Sequence, residues 1–237
     1  MLYLADLMAY DCLQPLKAAG ILPQQTAVVT YLQQSTEIRL LPYYDIMLIA
    51  LPSWIQNLYD QPSSAFLVIP HEVGHFLYRF GELSRDGSKI RVYEALDHGM
   101  NRLGSRYGEW RSRWLEELFA DAFGCLMAGP ASVLGIQEYL ATGIPDHYME
   151  PAPDHPVAAI RPLIQTEMLR MLDTRCVKSY KQVPTILDQQ WQIYLQNNGS
   201  PQLRNNHIAA VSFDLPGLTG RLTAVSYTHL TLPTRRF

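Results

Sequence analysis

The chain has 237 residues, 48% of them hydrophobic, with 19 basic and 22 acidic side chains and a net charge of −3. That is enough apolar material for a sizeable core, and too little basic excess for a nucleic-acid footprint or an anionic membrane surface. Three cysteines, Cys12, Cys125 and Cys176, are odd in number, widely spaced and free of any CxxC pair. A disulfide framework is not expected on that count, and a reducing, cytoplasmic setting is.

The N-terminus, MLYLADLMAYD, carries acids where a secretory leader carries basic residues. Leu4, Leu7, Met8, Cys12, Leu13 and Leu16 then fall at helical spacing, which predicts an amphipathic helix over residues 4–19, ended by Gly20 and Pro23. Three short β-rich runs follow at 27–32, 37–41 and 46–51, each bounded by turn residues or proline. The last of these, Ile46 to Pro52, is the longest near-apolar run and is too short to cross a bilayer, so the visible chain reads as soluble and without a membrane segment.

From Ser63 the period becomes helical, with Phe66, Ile69, Val73, Phe76, Leu77 and Phe80 on one face. Pro70 either starts that helix afresh or kinks it. Residues 82–108 are polar and carry no clear pattern beyond a short helix over 91–103. The strongest apolar stripe runs from Trp114 to Met127 and stops at Gly129-Pro130. Further helices are expected at 131–142, 156–172 and 184–197. Strands first and helices afterwards predict an α+β fold: a helix and small sheet over 1–62, then a mainly helical part over 63–198. Val225 to Thr234 resembles the translation of a sequencing-library adaptor. Residues 225–237, His229 included, are therefore set aside as a non-native tail, leaving 1–224 as a single domain.

The chemistry is concentrated in His71-Glu72-Val73-Gly74-His75. On a helix, His71 and His75 lie on one face, one turn apart, where both imidazoles can reach a tetrahedral zinc ion at about 2.0–2.1 Å. Glu72 sits one step round, placed to take a proton from a metal-activated water. The motif interrupts an apolar run, so its polar groups would be costly to bury unless a metal or other partners satisfied them.

A catalytic site needs a third protein ligand and an open fourth position. The metzincin pattern fails, because its later glycine and histidine positions hold Tyr78 and Gly81. Glu117 is the candidate ligand, with Asp121 one turn on to accept the N–H of a ligating histidine. Ala120, Gly124 and Ala128 on that face would let a second helix approach closely. Glu116 is out of register with Asp121 and reads as a solvated helix-face acid.

The E-x-x-A-D-x-x-G stretch of Glu117 to Gly124 resembles the gluzincins, zinc peptidases with a downstream glutamate ligand and a zincin-like fold. His155-Pro156-Val157-Ala158-Ala159-Ile160-Arg161 completes a motif order similar to that of one gluzincin group, the CAAX-prenyl-protease and bacterial heat-shock membrane protease family. The resemblance implies that His155 stabilises the oxyanion of the tetrahedral intermediate, with Arg161 assisting or orienting it. Those relatives carry transmembrane helices around the site; this chain shows none. His98 and His147 read as inert loop histidines, and Tyr107 or Tyr148 as candidate second oxyanion donors. Residues 46–51 are the candidate edge strand for aligning a peptide.

The expectation is therefore a zinc peptidase acting on a peptide or protein substrate, with zinc on His71, His75 and Glu117, and with Glu72, His155 and Arg161 catalytic. Two alternatives are a non-catalytic, zinc-stapled helical binding module and a metal-free helical interaction protein.

Overall fold

A computed structural model describes residues 2–34, 39–43, 45–53, 64–85, 87–102, 110–141, 143, 155–175 and 180–198. The expected tail at 225–237, together with Tyr107, His147, Tyr148 and Cys176, lies outside them. The fold is α+β, mostly helical with two small sheets. Among the described residues, no helix is long and apolar enough to cross a membrane.

Helix α1 (Leu2–Ala18) buries Ala5, Ala9, Cys12, Leu13 and Leu16 and tolerates Pro15 near its end. Leu4 and Leu7, expected on the inner face, are exposed. The small side chains of Ala5 and Ala9 are buried in their stead. Strands β1 (Ala27–Gln33), β2 (Arg39–Pro42) and β3 (Ile46–Pro52) form a sheet in the order β1-β3-β2. β3 pairs with β1 in parallel, Ala27 opposite Ile46, and with β2 antiparallel, Arg39 opposite Ala50. The candidate edge strand at 46–51 is thus the central strand, as its continuous apolarity allows. The outer edge of β1 is partly closed by α1, where Asp6 Oδ1 accepts the Thr30 amide at 2.7 Å.

A 3-10 turn (Ser64–Val68) leads into α2 (Ile69–Phe80), which holds Pro70 in its first turn, where a missing amide costs no intrahelical bond. Residues 69–77 of α2 are all buried. A hairpin of β4 (Glu82–Arg85) and β5 (Ser88–Arg91) follows, where the sequence showed no pattern, and then α3 (Val92–Arg102).

Helix α4 (Trp110–Ala128) is the centre of the helical part. It packs against α2, against α5 (Pro130–Ala141) and against α6 (Arg161–Arg175), which in turn carries α7 (Val183–Asn198). Leu115, Glu117, Phe119, Asp121, Phe123 and Cys125 are all buried, so α4 is enclosed on more than its apolar stripe. The α2–α4 contact is close because it is built from small residues. A Cβ placed on Gly74 would lie 2.7 Å from Ala120 Cα and 3.1 Å from its carbonyl oxygen.

Candidate metal centre

His71, Glu72 and His75 come from α2, Glu116, Glu117 and Asp121 from α4, and His155, Arg161 and Gln165 from the turn before α6 and its first two turns. Both histidines have their Nδ1 atoms engaged by carboxylates. His71 Nδ1 lies 2.9 Å from Asp121 Oδ1, and His75 Nδ1 lies 2.9 Å from Glu116 Oε1. Each carboxylate accepts a hydrogen bond from Nδ1–H, which fixes the neutral ring in the tautomer with a bare Nε2.

The two Nε2 atoms then face one another at 3.0 Å. Glu117 closes the triangle, Oε1 at 3.2 Å from His75 Nε2 and Oε2 at 3.5 Å from His71 Nε2. Three acceptor atoms aimed at one point repel unless a cation or protons stand between them. Glu117 Oε2 is moreover buried without a well-aligned hydrogen bond. The spacings resemble the edge of a tetrahedron of donors around zinc, about 3.3 Å for bonds of about 2.0–2.1 Å. Among the described residues, His71, His75 and Glu117 form the one group of buried side chains able to hold a metal ion. The donor set and its convergence fit such an ion.

Arg161 lies entirely within this network. Its Nε and Nη2 donate to Asp121 Oδ2 and Oδ1 at 2.8 and 2.9 Å, and Nη2 is 3.0 Å from both Glu117 Oε2 and His71 Nε2. It therefore compensates two buried carboxylates while also lining the cleft. Gln165, one turn along α6, adds an amide donor to Asp121 Oδ1 at 2.8 Å. Its i,i+4 spacing from Arg161 was the available sequence signal. Glu116 corrects the sequence expectation: it is three-quarters covered and bridges His75 to Arg79, whose Nε donates to it at 2.7 Å.

His155 stands on the open side. Its side chain is 54% exposed, with Nε2 3.3 Å from Glu117 Oε1. The turn that carries it is held by the Trp191 indole of α7, which donates to the Ala159 carbonyl at 2.8 Å. His98 is exposed on α3, away from the cluster.

The electrostatics follow from burial and pairing. Burial and the charge of Arg161 push the His71 imidazole down, but Asp121 and Glu117 outweigh them and hold it above its ordinary value. Burial likewise lowers His75, while Glu116 and Glu117 raise it, to about 10. Burial alone would raise Glu117 and Asp121; Arg161 pulls both below the usual carboxylate range, helped by both imidazoles at Glu117 and by His71 at Asp121. Glu72 runs the other way, pushed up by burial against the pull of His75 and His71.

Comparison of the chain with protein-family models, with curated proteins and with solved structures finds no match. Fold and site together define an α+β protein with a buried His-His-Glu group, open on one side, that can hold a metal ion.

Proposed function

We propose that the chain is a zinc-dependent peptidase of zincin-like fold, with a site similar in motif order to the gluzincins named above. The observation that carries the reading is the convergence of three ligand atoms beside a cleft that also receives Glu72 and His155. Two imidazoles and one carboxylate form a donor set suited to catalytic zinc, and a structural site would need a fourth protein ligand and no Glu72. His71, His75 and Glu117 would hold the ion, which supplies Lewis acidity towards a water molecule and a substrate carbonyl.

The protein groups then divide the remaining work. Glu72, whose carboxyl burial raises, accepts the proton of the attacking water and returns it to the leaving amine. His155, on the exposed side, donates to the carbonyl oxygen as charge develops there. Arg161 and Gln165 hold Asp121, and Asp121 and Glu116 hold the histidine rings.

The test is Glu72→Gln. It is expected to retain about one zinc per chain and to lose peptide hydrolysis by several orders of magnitude. Undiminished activity sinks the assignment. Zinc-loaded wild-type protein that hydrolyses no peptide, yet unfolds when the ion is removed, would instead be the non-catalytic module.

A further inference from the structure

The cleft beside the cluster, about 280 Å³ in volume, changes character along α2. At one end Val68, just before the first turn of α2, shares the cleft with Ile136 of α5. At the other end the cleft is lined by Arg79, one turn beyond His75 and two turns beyond Glu72. From Val68 to Arg79 the helix rises about 16 Å, the length of about five residues of extended peptide. The metal ligands and Glu72 lie between the two ends.

Arg79 is placed to take an anion. Its side chain is 45% exposed, in contrast to the buried Arg161. Its Nε donates to Glu116 Oε1, and among the described residues the Nη1–Nη2 edge of the fork is left for a second carboxylate. Glu116 offsets part of its charge, and what Arg79 offers a second carboxylate is the pair of N–H donors on the remaining edge of its fork. Resting on the peptidase reading, we propose that Arg79 is a specificity residue: it selects peptides by binding a carboxylate about two to three residues from the bond that is cut. The carboxylate is either an Asp or Glu side chain or the free C-terminus of the substrate.

The experiment uses zinc-loaded full-length protein and fluorogenic peptides in matched pairs, Asp against Asn and Glu against Gln scanned along the peptide, and free acid against C-terminal amide. The readout is the ratio of kcat/KM within each pair. Wild type is expected to favour the carboxylate member about ten- to hundred-fold at one position, less at high salt. In Arg79→Gln the ratio is expected to fall towards one. Any disturbance of His75 through Glu116 lowers both members of a pair and cancels in the ratio. Preference confined to side-chain pairs supports cutting within chains; preference confined to the acid–amide pair supports cutting near the chain end. Hydrolysis with a ratio near one in wild type, or with a ratio unchanged in Arg79→Gln, overturns the role of Arg79 and leaves the peptidase reading standing. Absence of hydrolysis across all peptides overturns both.

Discussion

The Nδ1 atoms of His71 and His75 are occupied by Asp121 and Glu116, and that occupancy decides what the opposite nitrogens can do. With Nδ1 donating, each Nε2 is a bare acceptor, and a pair of them 3.0 Å apart is stable only around a cation or bound protons. Removing either support frees a ring. Glu116→Gln and Asp121→Asn are each expected to weaken zinc binding about ten- to a hundred-fold, read by competition with a chromophoric chelator. Their stabilities should separate them. Asp121→Asn also leaves the buried Arg161 guanidinium short of a counter-charge, at a cost of about 3–5 kcal/mol, whereas partly exposed Glu116 stands outside that arrangement. Denaturant unfolding of the metal-free variants checks the difference.

Much of this was legible at the level of single residues. The spacing of His71, Glu72 and His75 specifies a helix face that could hold a metal ion, and Glu117, Asp121, His155 and Arg161 were nominated by residue type and order. Glu116 was not, because whether an acid one step from Glu117 meets His75 or solvent depends on how α4 crosses α2. Arg161 was nominated from the motif order alone. Sequence could not tell that its guanidinium turns inward to Asp121.

At the scale of elements, the site depends on how closely α2 and α4 approach. Gly74→Ala would normally favour a helix by about 1 kcal/mol. Here its methyl group would meet Ala120 backbone at 2.7 Å, so the strain should win and the variant lose about 1–3 kcal/mol. Zinc affinity should fall with it, since Glu117 moves with α4; thermal melting and zinc titration of the same sample test both. The small residues Gly74 and Ala120 signal such a contact in sequence. By contrast the β4–β5 hairpin gave no signal, since its four-residue strands are too short to show alternation. The central position of β3 was ambiguous for a different reason: an apolar run suits a buried strand wherever it lies in the order of the sheet.

For the molecule as a whole, the cluster ties stability to pH, and a bound ion would tie it to metal as well. His75 is raised from 6.5 to about 10, so its protonation stabilises the metal-free fold fully below pH 6.5, and that contribution is lost as pH rises through 10. Glu117 and Asp121 are lowered, so they contribute above the ordinary carboxylate range and lose that contribution on acidification. The metal-free protein is therefore expected to be most stable at about pH 5–6, with Tm falling from there towards pH 10. A metal ion must displace the imidazole protons, so zinc should raise Tm more at pH 8 than at pH 6. Melting curves in chelator and in zinc across that range provide the check; an equal zinc effect at both pH values would contradict the assignment of these ligands.

The acid–imidazole contacts across α2 and α4 have a consequence for the fold itself. His71 meets Asp121 while His75 meets Glu116 and Glu117, so the two helices run in opposite senses and their polar groups engage like teeth. Apolar ridges can be slid by one turn, about 5.4 Å, onto an equivalent set of grooves. These teeth cannot: a slide one way would leave His71 opposite Glu117 and His75 beyond any carboxylate, and a slide the other way would leave His75 opposite Asp121 and His71 beyond any. The cluster thus acts as an index mark that admits a single axial register, and the α2–α4 pair acquires its alignment from the same side chains that would do its chemistry.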